Sequence, residues 1–225
     1  MNSCAAHRLK PAPSLPEEMP HEDPQMTAVT PTLRSEIAGD HKAIADLVTE
    51  AFRTAFDSTD EARLIADLRK GGDLLLGLVA EIDNEIVGYI GFSRAMIEAE
   101  GRWIPVTVLG PIAVANGRQG EGIGTALTEA GIRTMTEGGE AVAFVLGEPD
   151  YYRCFDFSAD LARPIASPWS AEAGDAHMAL ELVPGALAGV TGFLHYAPAF
   201  ARFMPAPEED GGEPVPPAGW SCGAA

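Results

Sequence analysis

The chain of 225 residues is long enough for one domain with additional segments or for two small domains. With 46% hydrophobic and 21% charged residues, its composition is close to that of folded proteins, which excludes a wholly disordered chain. Fifteen basic and 33 acidic residues give a formal net charge of −18. Nucleic acids and anionic membranes are bound through clustered Lys and Arg, so we expect neither as a partner.

Cysteine usage predicts the redox setting of the chain. Cys4, Cys154 and Cys222 are odd in number and widely spaced. This pattern supports neither a disulfide framework nor a zinc site, so we expect no metal and a reducing, cytoplasmic location. Residues 182–201 carry no Asp, Glu, Lys or Arg, but they contain prolines and glycines. We therefore predict an irregular packed segment and a strand there, not a membrane span.

Composition divides the chain into three parts. Residues 1–30 and 205–225 are rich in proline and poor in large apolar side chains. Such segments cannot offset their ordering entropy by burial, so we predict that both are disordered tails. Residues 31–204 are predicted to form a single domain. Its oligomeric state cannot be derived from the sequence.

The periodicity of apolar residues alternates within this domain between strand and helix. In chain order we predict a strand at 32–37, helices at 40–52 and 58–71, strands at 74–82 and 85–97, a strand at 103–114, a helix from 124 to about 137, a strand at 141–146, a short helix at 150–155 and a strand at 177–183. Asp83-Asn84 is a hairpin turn and Gly110-Pro111 a bulge in this prediction. Asp40 is the predicted N-cap of the first helix, and Ser58 and Glu61 form a capping box for the second. Hairpins followed by a strand–helix–strand crossover predict an α/β fold with a mixed sheet and helices on both faces.

The glycine-rich segment at 114–125 joins a predicted strand to a predicted helix. Glycine lets backbone N–H groups approach a ligand closely, and a helix N-terminus favours anions, so the segment predicts a phosphate or pyrophosphate site. A Walker loop is excluded because Ile123 and Gly124 stand where Lys and Ser or Thr are required. The dinucleotide fingerprint fails at Thr125, which disfavours a NAD- or FAD-dependent oxidoreductase.

The remaining motif, Gln119-x-x-Gly122-x-Gly124, resembles the pyrophosphate-binding motif of the GNAT superfamily of acyl-CoA-dependent N-acetyltransferases. Its context is similar to that family as well. The strand at 109–115 precedes the motif, and a helix, an apolar strand and the tyrosine-containing run 146–157 follow it. The resemblance covers about residues 32–204. It implies a GNAT-like central mixed sheet that is partly splayed.

The resemblance also implies a co-substrate and a mechanism. Acetyl-CoA would add its pantetheine to the strand edge at Ile112 and Val114, and a backbone N–H near Val114 would polarise the thioester carbonyl. A primary amine would then attack directly, without a covalent enzyme intermediate. The residues implied to bind acetyl-CoA are Ile112, Ala113, Val114, Arg118, Gln119, Gly120, Gly122, Ile123, Gly124 and Thr125.

Tyr152 is the implied general acid for the leaving CoA thiolate, and Tyr151 is its alternative. Tyr152 stands four residues before Asp156, where the family has a glycine, a residue suited to a positive φ. Glu98 and Glu100 are candidates for deprotonating the amine, although a solvated turn also explains them.

The acceptor amine and the acyl-chain preference are not identified by the sequence. The alternative function is a non-catalytic acyl-CoA-binding sensor with the same fold, which would bind acetyl-CoA without releasing CoA.

Overall fold

The computed structural model describes residues 30–56 and 58–204. The predicted tails at 1–30 and 205–225, apart from residue 30, lie outside the described residues. The helices are α1 His41–Phe56, α2 Asp60–Gly71, α3 Ile123–Glu137, α4 Pro149–Tyr152, α5 Ala159–Ala162 and α6 Ser170–Ala173. The strands are β1 Thr32–Ser35, β2 Leu74–Ile82, β3 Glu85–Ala99, β4 Arg102–Val114, β5 Val142–Leu146, β6 Ile165–Ala166, β7 His177–Glu181 and β8 Gly192–Tyr196.

These strands form one mixed sheet in the order β1-β2-β3-β4-β5-β7. The distal part of β3 also pairs with β8, and β8 pairs with β6. All pairs are antiparallel except β4–β5 and β6–β8. The predicted α/β class with a mixed sheet is therefore confirmed. No helix within the described part of the chain is long and apolar enough to cross a membrane.

Helices cover both faces of the sheet. Ile44 and Val48 of α1 are fully buried in one cluster with Val79 and Tyr89, so α1 covers the face on which those two strand residues lie. On the other face, α3 buries its apolar stripe against Leu78, Ala80, Ile90 and Phe92. Adjacent strand residues point to opposite faces, which is why Tyr89 and Ile90 belong to different clusters.

The predicted hairpin turn and the predicted bulge are both confirmed. Asp83 and Asn84 have φ values of 51° and 62°, as a type I′ hairpin between β2 and β3 requires. In the β3–β4 ladder, Ile90 pairs with Ile112 and Phe92 with Leu109. Two residues, Gly110 and Pro111, therefore stand opposite one, which is a bulge; the peptide bond between them is cis.

Both capping predictions are wrong. Asp40 ends a short 3-10 turn, and its carboxylate accepts the N–H of Ile37 at 2.8 Å and two guanidinium bonds from Arg34. The carboxylate therefore bonds Arg34, a partner that local sequence spacing does not show, and it does not cap the helix. At α2 the N-cap is Thr59. Ser58 Oγ donates to Glu61 Oε2 at 2.7 Å and accepts the N–H of Asp60 at 3.4 Å, so the reciprocal capping box is not formed.

Candidate active site

Strand β4 loses its β5 partner halfway along its length. The two strands pair in parallel at Thr107–Ala143, Val108–Phe144 and Leu109–Val145, and the pairing ends there. The Gly110-Pro111 bulge follows immediately on β4, and β5 ends at Leu146. We call the region beyond the Leu109–Val145 pair the β4–β5 gap. From residue 110 to residue 114, the β5-facing edge of β4 is therefore open within the described chain.

The backbone groups on this open edge follow from the ladder on the opposite side. The N–H of Ala115 donates to Val87 O at 2.9 Å, so Ala115 and Val87 form a hydrogen-bonded pair. In an antiparallel ladder such pairs alternate, so Ala113 faces Tyr89, whereas Ile112 and Val114 direct their N–H and C=O groups to the open edge. Of the three strand residues predicted to bind the cofactor, Ala113 thus has no backbone group at this edge, and its side chain is buried beneath α1.

The glycine-rich loop leads from this edge to the N-terminus of α3. Gly120 and Gly122 have φ values of 83° and 80°, and no atom lies within 4 Å of a Cβ built on either. The first intrahelical bond is donated by Ala126 to Gly122 O at 3.0 Å. The N–H groups of residues 123–125 therefore have no intrahelical acceptor, and the first turn carries no acidic residue. The loop presents a set of backbone donors at the positive end of a helix.

Arg118 and Gln119, two polar side chains of the loop predicted to bind the cofactor, are loosely held. Arg118 is half-buried and its Nη1 lies 3.4 Å from Glu121 Oε2. Gln119 is exposed and its Nε2 lies 3.5 Å from Val114 O, a long hydrogen bond. That contact shows the Val114 carbonyl at the open edge. Both side chains are close enough to the loop backbone to assist an anion there.

Tyr151 stands against the first turn of α3. A Cβ built on Gly124 would lie 3.1 Å from Tyr151 Oη, and that hydroxyl bonds Thr128 Oγ1 at 3.0 Å. Burial raises the pKa of Tyr151 above its usual value. Thr128 was not a predicted site residue. Its position one helical turn after Gly124 is the signal that would have found it.

Tyr152 packs at the end of β5. Its side chain is 6% exposed, and its ring occupies the space that a side chain on Gly147, the residue after β5, would need. Burial raises the pKa of Tyr152 above its usual range, so the phenol keeps its proton. The ring stands edge-on to Phe157, with centroids 5.7 Å apart.

Asp156 adopts the conformation for which a glycine would be suited. Its φ is 65° and its ψ is 14°, in the left-handed region, and its N–H bonds Arg153 O at 3.2 Å. Asp is one of the few residues that tolerate this region. The departure from the family pattern therefore leaves the turn after α4 intact.

The remaining candidates lie away from the gap. Glu98 Oε2 is 3.1 Å from His195 Nε2, and Glu98 stands six residues beyond Phe92 on β3, which is about 20 Å along the strand. Glu100 lies in the β3–β4 turn, with a φ of 50°. Cys154 is free and exposed. The described residues contain no group of three or more His, Cys, Asp or Glu side chains placed to hold a metal ion. The cytoplasmic location stays a prediction.

Comparison with known proteins assigns this chain to an enzyme class. Residues 36–159 match the family described as "Acetyltransferase (GNAT) domain". The chain is 34% identical over 173 residues to the uncharacterized N-acetyltransferase YhbS of Escherichia coli K12, covering 76% of this chain and 99% of YhbS. The chain therefore belongs to the GNAT family of acyl-CoA-dependent N-acetyltransferases.

Two solved structures are similar to the whole described domain. The crystal structure of Escherichia coli YhbS in complex with CoA gives a TM-score of 0.69 at 30% identity, covering 88% of this chain and 97% of that one. A GNAT family acetyltransferase from Brucella melitensis, in complex with acetyl-CoA, gives a TM-score of 0.64 at 30% identity, covering 76% and 99%.

Proposed function

We propose that this enzyme transfers an acetyl group from acetyl-CoA to a primary amine by direct attack of the amine on the thioester. The observation that carries the proposal is the open β4 edge at Ile112 and Val114, which leads directly to unpaired N–H groups at the start of α3. The two solved relatives that hold CoA and acetyl-CoA support the same ligand here.

The pyrophosphate of acetyl-CoA binds the loop from Gln119 to Thr125. Successive N–H groups in a glycine-rich turn form a concave donor set, and the α3 dipole adds a partial positive charge. This site lets a chain of net charge −18 hold a polyanion without a cluster of basic side chains. Arg118 is the one cationic side chain of the motif. When the pyrophosphate binds, the guanidinium of Arg118 leaves Glu121 and pairs with a phosphate oxygen.

The pantetheine arm extends the sheet. Its amides bond the edge groups of Ile112 and Val114 as an added strand would, and the side-chain amide of Gln119 leaves Val114 O when they do. This added strand places the thioester at the β4–β5 gap, where the pairing of the two strands ends. A backbone N–H of the β4 edge near Val114 then stabilises the oxyanion of the tetrahedral intermediate.

Tyr152 is the proposed general acid. Its ring lies against Gly147, at the end of β5, and its phenol is protonated. A thiol has a pKa near 8.5, below that of a buried phenol, so complete proton transfer to the thiolate is uphill. Tyr152 therefore donates a hydrogen bond to the departing sulfur, and the proton that the amine loses on forming the amide neutralises the CoA thiolate through solvent. Tyr151 is less suited because its hydroxyl is bonded to Thr128 at the pyrophosphate end of the site.

The test is a titration followed by a turnover screen. Acetyl-CoA should raise the melting temperature of the full chain, whereas NAD and FAD should not compete. CoA release is then measured with spermidine, lysine, tyramine and a peptide with a free N-terminus. Amine-dependent release supports the transferase. Acetyl-CoA binding without release for any of these amines would favour the sensor instead.

A further inference from the structure

Tyr151 joins two parts of the chain that both belong to the candidate site. It lies on α4, which follows β5, and its hydroxyl contacts α3, which follows β4. Tyr151 Oη bonds Thr128 Oγ1 at 3.0 Å and lies 3.1 Å from the position that a Cβ on Gly124 would take. The absence of a side chain on Gly124 therefore makes room for this hydroxyl at the first turn of α3.

The same point on α3 adjoins the open edge of β4. A Cβ on Gly124 would also lie 3.8 Å from Val114 Cγ2 and 3.9 Å from Ile112 Cδ1. Ile112 and Val114 are the two residues whose backbone groups bind the pantetheine arm in the proposed function. The hydroxyl of Tyr151 thus stands where the first turn of α3 meets the side chains of the β4 edge, and acetyl-CoA connects these two parts of the site.

The Tyr151 oxygen keeps hydrogen-bonding capacity beyond its bond with Thr128. A phenol and a threonine hydroxyl each have one proton and two acceptor positions, and the bond between them uses one proton and one lone pair. Thr128 has no exposed surface, whereas Tyr151 is half-buried. A partner from outside the protein therefore reaches this pair at the Tyr151 oxygen. Burial raises the pKa of Tyr151, so the phenol keeps its proton.

Packing holds the ring of Tyr151 without help from its hydroxyl. The ring stands edge-on to two aromatic neighbours, with its centroid 4.9 Å from that of Tyr152 and 5.1 Å from that of Phe155. Such contacts depend on the ring alone, so the hydroxyl is not required to place it. A group that is fixed before the ligand arrives loses little side-chain entropy on binding, which suits this hydroxyl to hold a ligand.

We propose that Tyr151 is a further cofactor-binding residue, whose hydroxyl donates a hydrogen bond to a carbonyl oxygen of the pantetheine arm of acetyl-CoA. Thr128 is its positioning residue and donates to the phenol oxygen. This inference rests on the proposed function, because it requires acetyl-CoA along the β4 edge. The two neighbouring tyrosines then have different roles: Tyr151 holds acetyl-CoA, and Tyr152 acts on the departing sulfur.

The test separates binding from turnover. Tyr151→Phe keeps the ring and its edge contacts and removes the oxygen, and Thr128→Val removes the positioning hydroxyl. Thr134→Val is the matched control, because Thr134 lies six residues further along the same helix, where its hydroxyl bonds Ala130 O at 2.8 Å. For each variant we measure the Kd for acetyl-CoA by calorimetry, and kcat at saturating acetyl-CoA with the panel amine that the wild type uses fastest.

In Tyr151→Phe we expect the Kd for acetyl-CoA to rise about 3- to 10-fold, as for the loss of one neutral hydrogen bond, and kcat to stay within about twofold of the wild type. Thr128→Val should raise the Kd as well, whereas Thr128→Ser, which keeps the hydroxyl, should restore it. The variant that combines Tyr151→Phe with Thr128→Val should bind no more weakly than Tyr151→Phe alone, because the two hydroxyls act as one unit. Thr134→Val should keep the wild-type Kd.

Three results overturn the inference. A wild-type Kd in Tyr151→Phe would make the bond between Tyr151 and Thr128 purely structural. A lower kcat with an unchanged Kd would make Tyr151 a catalytic group instead. An equal rise of the Kd in Thr134→Val would attribute the effect to a general disturbance of α3.

Failure of the proposed function gives a different result. If the wild type does not bind acetyl-CoA, the proposed function fails and the inference falls with it. If the wild type binds acetyl-CoA but acetylates none of the panel amines, the comparison of Kd values still decides whether Tyr151 holds the cofactor.

Discussion

Replacing Gly122 by Asp tests the pyrophosphate site with little disturbance of the fold. Gly122 has a φ of 80°, and a Cβ there meets no atom within 4 Å. A side chain therefore fits sterically, and the cost is the left-handed conformation, about 1 kcal/mol for Asp or Asn. In a domain of this size that cost lowers the melting temperature by about 2–4 °C. Gly122→Asn has the same shape and the same strain but no charge, which makes it the matched control.

The charge accounts for the expected loss of binding. A carboxylate about 5 Å from a phosphate charge is repelled by about 1–3 kcal/mol for an effective dielectric constant between 80 and 20. The loop is exposed to solvent, so the weaker end of this range applies, and two phosphate charges together cost about 2–3 kcal/mol, which raises the Kd for acetyl-CoA about 100-fold. At an acetyl-CoA concentration about 100 times the wild-type Kd, the ligand stabilises the wild type by about 2.7 kcal/mol, or about 5–10 °C. The Asp variant should shift by only about 1 °C under the same conditions.

The assay is a thermal-shift titration of wild type, Gly122→Asn and Gly122→Asp with acetyl-CoA, and circular dichroism establishes that all three are folded. Gly122→Asn should keep most of the shift, because the backbone donors remain. An undiminished shift in Gly122→Asp would refute the placement of the pyrophosphate at this loop. Equal loss in both variants would attribute the effect to backbone geometry instead of charge.

Three further predictions follow from other parts of the molecule. Tyr152→Phe should lower turnover about 10- to 100-fold, the lower end of the range for general acids, and leave the affinity for acetyl-CoA unchanged. Tyr151→Phe should lower turnover less. If steady-state CoA release shows the reverse order, the two tyrosines exchange roles. The bonds from Arg34 and Ile37 lower the pKa of Asp40, so Asp40 stabilises the fold above its unfolded pKa, near 4, and this contribution is lost as pH falls. Chemical denaturation should show that the free energy of unfolding falls less between neutral and acidic pH in Asp40→Asn than in the wild type. Identical pH profiles for the two proteins would contradict this account. A chain trimmed to about residues 27–204 should bind acetyl-CoA with the full-length Kd, and a weaker Kd by calorimetry would give the removed segments a role.

Local rules were sufficient for the parts of the fold that depend on local backbone chemistry. The Asp83-Asn84 turn and the bulge at Gly110-Pro111 are each set by residues adjacent in sequence. Predictions failed where a distant partner decides the outcome, as when Arg34 takes the carboxylate of Asp40. Strand ends were also misplaced: β1 was predicted to extend to 37 but ends at Ser35.

The candidate site divides in the same way. Glycine spacing predicts the loop and the start of α3, because consecutive residues determine a helix N-terminus and the turn that precedes it. The orientation of Ala113 depends on the ladder with β3, which the periodicity of a single strand does not show.

The central claim is acetyl transfer from CoA to an amine by direct attack at the β4–β5 gap. The most direct measurement mixes the full chain with acetyl-CoA and quantifies free CoA, acetylated amine and the mass of the protein, with and without each panel amine. The account predicts CoA release that depends on the amine, one acetylated amine for each CoA, and no acetyl group on the protein. Acetyl-CoA binding with no release for any amine, or an acetyl-enzyme that precedes the product, would contradict it.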